Sequence, residues 1–190
     1  VPVVHLAGTP GFHKSYPGYQ RAIDLVQLQG NPERTGPGRA SAKIDENEEV
    51  RRHRKFRNKH VFPGEHNIPD IEAGKKAMLD FPEWSKPTDE EYVVDNADTL
   101  DMACRSLGRS HLIYCGFAVN WCVFMIDGGM VDMSRRGYLC SIIEDATTAV
   151  ENRESARNES HKEYGLWTTA LAFGFVFTTV DLTGAFETIG

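Results

Sequence analysis

Leu112-Ile-Tyr-Cys-Gly-Phe-Ala-Val-Asn-Trp-Cys-Val123 reads as a buried strand, a tight turn and the start of a helix. Leu112, Ile113 and Tyr114 are strand formers, and the run ends at Gly116. Cys122 then opens a helical pattern with Val123, Ile126, Met130 and Met133 on one face, closed by Arg135, Arg136 and Gly137. A thiol at such a position lies just beyond the carboxyl end of a strand. Backbone N–H groups and the helix dipole there favour the thiolate, the nucleophilic form of cysteine. Ligands of doubly wound α/β proteins bind at that same end of the sheet.

The alternation continues outward. Thr99 to Leu107 has helical apolar spacing and stops at Gly108. Tyr138 to Ile143 reads as a strand, Arg153 to Ala172 as a helix and Phe175 to Val180 as a last strand. Upstream, Pro2 to Ala7 is expected to be a strand, Tyr19 to Gln29 a helix, and Tyr92-Val93-Val94 a short strand. Gly30 to Ala40 is rich in Gly, Pro and Arg and reads as loop. Lys43 to His60 is very polar, a surface helix or an irregular excursion. Strands alternating with helices imply a three-layer α/β/α architecture with a mostly parallel sheet and right-handed crossovers. No internal repeat is visible, and residues 1–190 are expected to form one domain.

Composition bounds the function. The chain is 41% hydrophobic and 25% charged, with a net charge of -6. An acidic balance argues against nucleic acid or anionic membrane as partner. No apolar run approaches the roughly 20 residues of a membrane span, and Val1 to Ala7 lacks the features of a signal peptide. Cys104, Cys115, Cys122 and Cys140 cluster in one region, as reduced thiols of a cytoplasmic protein rather than a disulfide framework. Cys104 on its helix and Cys115 and Cys140 within strands are expected to be small core residues. Cys122 stands apart by position.

The stretch Leu112 to Val123, then Arg135-Arg136-Gly137-Tyr138 and Glu144-Asp145-Ala146-Thr147, resembles the isochorismatase-like cysteine hydrolase superfamily. The resemblance is good from Leu112 to Asp181 and vaguer before Leu107. It implies that Cys122 is a nucleophile attacking a carbonyl carbon. It implies a non-proline cis peptide at Phe117–Ala118 and an oxyanion hole from the backbone N–H groups of Ala118 and Cys122. Asn120 and Trp121 would shape the turn near the pocket mouth, and Glu144 and Asp145 are expected to cap or support. The family's catalytic Asp ends its first, central strand, which precedes the stretch matching Pro2 to Ala7. The chain is therefore expected to be N-terminally truncated, because without that strand both neighbours would expose unpaired backbone. The family Lys maps onto Lys86, or onto Asp95 or Asn96 if Tyr92 to Val94 is the matching strand. Should Lys86 not serve, His5 is the nearby imidazole, with a hydrogen-bonded core role as its ordinary reading.

Other signals are weaker. His60, Glu65, His66 and Asp70 fit no strong ligand spacing, so neither metal nor cofactor is expected. The metal-binding pattern of the family's nicotinamidase branch is absent, which disfavours nicotinamide. Possession of Cys122 leans toward C–N hydrolysis. The basic run Arg51 to Lys59 follows Asp45 to Glu49, and pairs such as Glu48–Arg52 fit a salt-bridged surface helix. The expected function is cysteine-dependent hydrolysis of a small amide or carbamoyl substrate by a homo-oligomer. The alternative is a non-catalytic small-molecule-binding or assembly protein of the same fold.

Overall fold

A computed structural model describes residues 1–7, 11–29, 47–62, 64–77 and 80–189. The expected Gly30–Ala40 loop lies outside the described residues. The chain divides into two compact units, the smaller one spanning Arg39–Lys86 with Pro10–Phe12.

Among the described residues the larger unit holds every strand. Val4–Leu6 (β1) leads through Pro17–Gln29 (α1) to Tyr92–Val94 (β2), and Ala97–Ser106 (α4) then leads to His111–Gly116 (β3). Leu139–Thr147 (β4), Ser160–Ala172 (α6), Val176–Phe177 (β5) and Thr179–Ile189 (α7) follow, with Met130–Arg135 (α5) before β4. In the smaller unit lie Glu48–His60 (α2) and Ile68–Ala77 (α3). The fold is α/β with parallel pairing throughout. β1 pairs with β2 in register Val4↔Tyr92, and β3, β4 and β5 form a second sheet in that order. β1 pairs on one side alone and so does β3; among the described residues no strand joins the two sheets.

One core underlies both sheets. Leu112, Tyr114, Cys140, Ile142 and Val176 alternate along β3–β5 toward it, meeting Leu100, Ala103 and Cys104 of α4, Met130 and Met133 of α5 and Leu166 of α6. Ala22 and Val94 bring α1 and β2 into the same cluster. Cys115 departs from expectation because it is exposed. It shares the other face of β3 with His111 and Ile113, and that face lies outside the core cluster.

Several element boundaries differ from the sequence reading, and three of them have a plain local reason. The helix expected over Cys122–Arg136 is broken between Ile126 and Gly129. Gly128 has φ +95°, and a Cβ on Gly129 would lie 2.8 Å from the Phe124 carbonyl oxygen. The helix expected from Arg153 begins at Ser160, because the Asn152 carboxamide accepts from the N–H groups of Glu154 and Ser155 and holds a turn instead. The Glu151 carboxylate then accepts from the His161 and Lys162 N–H groups at the helix start. The last strand stops at Phe177, where Thr178 and Asp181 form a reciprocal cap that opens α7.

In the smaller unit α2 is a surface helix without a buried residue. Asn47 caps it through Val50 N–H at 2.8 Å, and Glu48 and Glu49 begin it while Arg57, Lys59 and His60 end it, as the helix dipole favours.

Candidate active site

Gly116 ends β3 with φ +115°, a conformation that glycine adopts without strain. The Phe117–Ala118 peptide that follows is cis. Phe117 is exposed, whereas Ala118 and Val119 are fully buried. One π-helical turn, Val119–Val123, carries Cys122. Cys122 is thus inside a helical turn that opens at Val119, a turn earlier than its apolar spacing implies. The Ala118 carbonyl accepts from both Trp121 and Val123 N–H at 3.0 Å, and the Cys122 carbonyl accepts from Ile126 N–H at 3.0 Å.

The turn is fixed from outside as well. Val119 N–H donates to the Thr148 carbonyl at 2.9 Å, and Thr148 N–H donates to the Gly116 carbonyl at 3.2 Å. The Asn120 side chain pairs with Val150 in both directions, donating to its carbonyl and accepting from its N–H, each at 2.9 Å. A carboxamide used in this way imitates a backbone bridge and holds the residue just before Trp121 and Cys122 to the strand-following loop. His161 Nδ1 lies 3.0 Å from the same Val150 carbonyl. On the other flank, Tyr114 donates its hydroxyl to the Gly128 carbonyl at 2.9 Å, and the Asp127 carboxylate accepts from Ala97 N–H at 2.9 Å.

The four thiols occupy distinct environments. Cys104 and Cys140 are buried. Burial pushes their thiols up, to about 11 for Cys104 and about 12 for Cys140, with the Asp101 carboxylate adding to the first and Cys104 to the second. Cys115 is exposed overall, yet desolvation by the protein around its sulfur still raises its pKa. Cys122 is half-buried.

Lys86 lies in the smaller unit. Its ammonium is 2.5 Å from a Glu83 carboxylate oxygen and 3.6 Å from one of Asp80. His5, on β1, meets Glu91 at 3.1 Å through Nε2. The Thr88 N–H bonded to Glu91 is the largest influence lowering that carboxyl's pKa. Asp145 caps α7 through the N–H of Thr179 at 2.8 Å and its hydroxyl at 2.5 Å, a structural role. Among the described residues no three His, Cys, Asp or Glu side chains converge to hold a metal ion, and no helix is long and apolar enough to cross a membrane.

One cluster goes beyond the sequence reading, which named Asp95 and Asn96 only as the positions where the family Lys falls if Tyr92–Val94 is the matching strand. Asp95, at the carboxyl end of β2, is 3.3 Å from His13 Nε2 and accepts from the Tyr19 hydroxyl at 3.2 Å through the same oxygen. Its other oxygen accepts from Asn96 Nδ2 at 2.7 Å. His13 is buried. The sequence signal is the polar Asp95-Asn96 pair directly after Val93 and Val94, since His13 and Tyr19 are about 80 residues away along the chain.

A model of the Isochorismatase domain matches residues 87–181, half of the chain, including all of α4 to β5. Among solved structures, a cysteine hydrolase from Pseudomonas syringae pv. phaseolicola 1448A is similar with a TM-score of 0.52 and 18% identity, covering 98% of this chain and 92% of that one. An isochorismatase from Pseudomonas putida KT2440 has a TM-score of 0.44 and 17% identity, covering 95% and 92%. At such identity the first likeness concerns the fold. Among curated proteins none matches the chain. The domain match begins at Pro87, ahead of β2, and runs through the Cys122 turn to the α7 cap, so the chain belongs to the isochorismatase domain family.

Proposed function

We propose that the chain is a cysteine-dependent hydrolase of a small amide, carbamoyl or related C–N substrate, with Cys122 as nucleophile. The observation that carries this reading is the position of Cys122. It is the one half-buried thiol of the four, on a helical turn beyond the carboxyl end of β3 and clamped by Val119 and Asn120. The Cys122 sulfur attacks the carbonyl carbon and its proton passes to the general base. The carbonyl oxygen takes up negative charge and accepts hydrogen bonds from the N–H groups of Ala118 and Cys122. Collapse expels the amine with a proton from the conjugate acid and leaves a thioester. Water then adds to the thioester, releasing the acid and restoring the thiol.

In this proposal an acid/base pair moves the protons, and its Asp ends a further strand that lies between β1 and β3. Such a strand is supported by β1 and β3, each of which keeps one unpaired edge among the described residues, since one more parallel strand between them would satisfy both rows of backbone groups. The second reading, a small-molecule-binding protein of the same fold, draws on the Glu83 and Asp80 carboxylates that already hold the Lys86 ammonium.

Competitive alkylation separates the two. With limiting iodoacetamide at neutral pH and peptide mapping by mass spectrometry, Cys122 is expected to react roughly tenfold or more faster than Cys104 and Cys140, whose thiols stay protonated until strongly alkaline pH. Reaction at Cys122 no faster than at the buried pair would favour the binding protein.

A further inference from the structure

Two contacts join α6 to the turn that carries Cys122. The first is made by its inner side. A Cβ on Gly165 would lie 2.6 Å from Val119 Cγ1 and 2.9 Å from Cγ2, so glycine lets the helix rest directly on Val119. Val119 is fully buried, and α6 thereby holds the turn on its buried side.

The second contact is polar and runs through Val150. Its carbonyl oxygen accepts from Asn120 Nδ2 at 2.9 Å and lies 3.0 Å from His161 Nδ1, while its N–H donates to Asn120 Oδ1 at 2.9 Å. A carbonyl oxygen only accepts, so the hydrogen of the histidine bond is on Nδ1. One oxygen with two lone pairs thus takes both donors. The ring is itself held in place. The Glu151 carboxylate accepts from the N–H groups of His161 and Lys162 at 3.2 and 2.9 Å, which ties the histidine backbone to the residue beside Val150. Glu151 Oε2 and the hydroxyl of buried Ser155 each lie 3.5 Å from Nδ1.

Val150 is in the irregular segment that follows β4. Its two bonds to Asn120 are exposed, and water competes for the same donors and acceptors. His161 adds a tie from that segment to α6, the helix that already backs Val119. Asn120 stands two residues before Cys122 in the same helical turn, so a swing of its backbone carries the sulfur with it. A reacting atom misplaced by about 1 Å can lose on the order of 100-fold in rate.

We propose that His161 is a positioning residue for Cys122, acting through the Val150 carbonyl and the Asn120 carboxamide. The proposal rests on Cys122 being the nucleophile. His161→Leu removes the Nδ1–H and keeps a side chain of similar size, whereas His161→Asn returns an N–H donor to nearly the same place. With p-nitrophenyl acetate as acyl donor, His161→Leu is expected to lower kcat about tenfold or more with KM within about twofold of wild type. His161→Asn should recover kcat to within about threefold of wild type. A histidine that serves stability alone would shift the urea midpoint and would gain nothing from asparagine. His161→Ala decides in the same way should the leucine variant not fold. A folded His161→Leu with wild-type kcat overturns the proposal, and so does a loss that His161→Asn leaves unrepaired. Cys122→Ala assayed beside them keeps the two readings apart. Turnover that survives in Cys122→Ala, or none by wild type, refutes the nucleophile and this role with it. Wild-type turnover by His161→Leu beside an inactive Cys122→Ala refutes the positioning role alone.

Discussion

Cys122→Ala is expected to lower kcat/KM for any amide substrate by at least a thousandfold, about 4 kcal/mol of transition-state stabilisation. The effect is large because the substitution removes the only group in the proposed scheme that forms a bond to the substrate. Whatever rate survives would come from the oxyanion N–H groups and substrate positioning, which outlast a lost nucleophile. The turn itself should persist. Its hydrogen bonds run through the Ala118, Cys122 and Thr148 carbonyls and the Asn120 carboxamide, none of which involves the sulfur. The variant should therefore keep the wild-type unfolding transition within about 1 kcal/mol. Amine release from a panel of small amides, measured beside urea unfolding, separates lost chemistry from lost structure. Undiminished turnover by Cys122→Ala would exclude Cys122 as nucleophile.

The largest expected effect on stability is at Met130. Its side chain is fully buried at the start of α5, beneath α6 and against β4, and the Thr169 hydroxyl lies 3.9 Å from its sulfur. Met130→Ala should cost about 2–5 kcal/mol, the sum of lost transfer energy and an unfilled cavity. Thr169 is not orphaned by the change, because its hydroxyl also donates to the Gly165 carbonyl at 3.1 Å. The penalty is therefore a packing penalty, and it should appear as a lower urea midpoint with an unchanged slope. A loss under about 1 kcal/mol would mean that α5 and α6 close over the gap, contrary to a core held in place by β4.

The second half of the chain was legible because its signals are local. Leu112 to Gly116 announces a strand by composition and its end by a glycine, and the order of strand, turn and Cys122 carries the family resemblance that the domain match over residues 87–181 bears out. Where the reading slipped, a stop or start signal was outweighed by periodicity. Asp127-Gly128-Gly129 interrupts an apolar pattern that continues undisturbed through Met130 and Met133. Thr178 and Asp181 start α7 inside a run of β-branched and aromatic residues that reads as strand. Cys115 looked like core because strand alternation does not say which face is covered. The Asp95, His13 and Tyr19 cluster was out of reach for a different reason: tertiary folding alone brings together residues so distant in sequence.

The central claim is that Cys122 becomes covalently bound to substrate carbon. Intact-protein and peptide mass spectrometry, after rapid acid quench during turnover of an activated amide or ester, tests this most directly. The account predicts an acyl mass on the peptide carrying Cys122, formed as fast as the leaving group appears and lost on the timescale of turnover. Turnover with no adduct at Cys122, or an adduct that persists on Cys104, Cys115 or Cys140 instead, would contradict it.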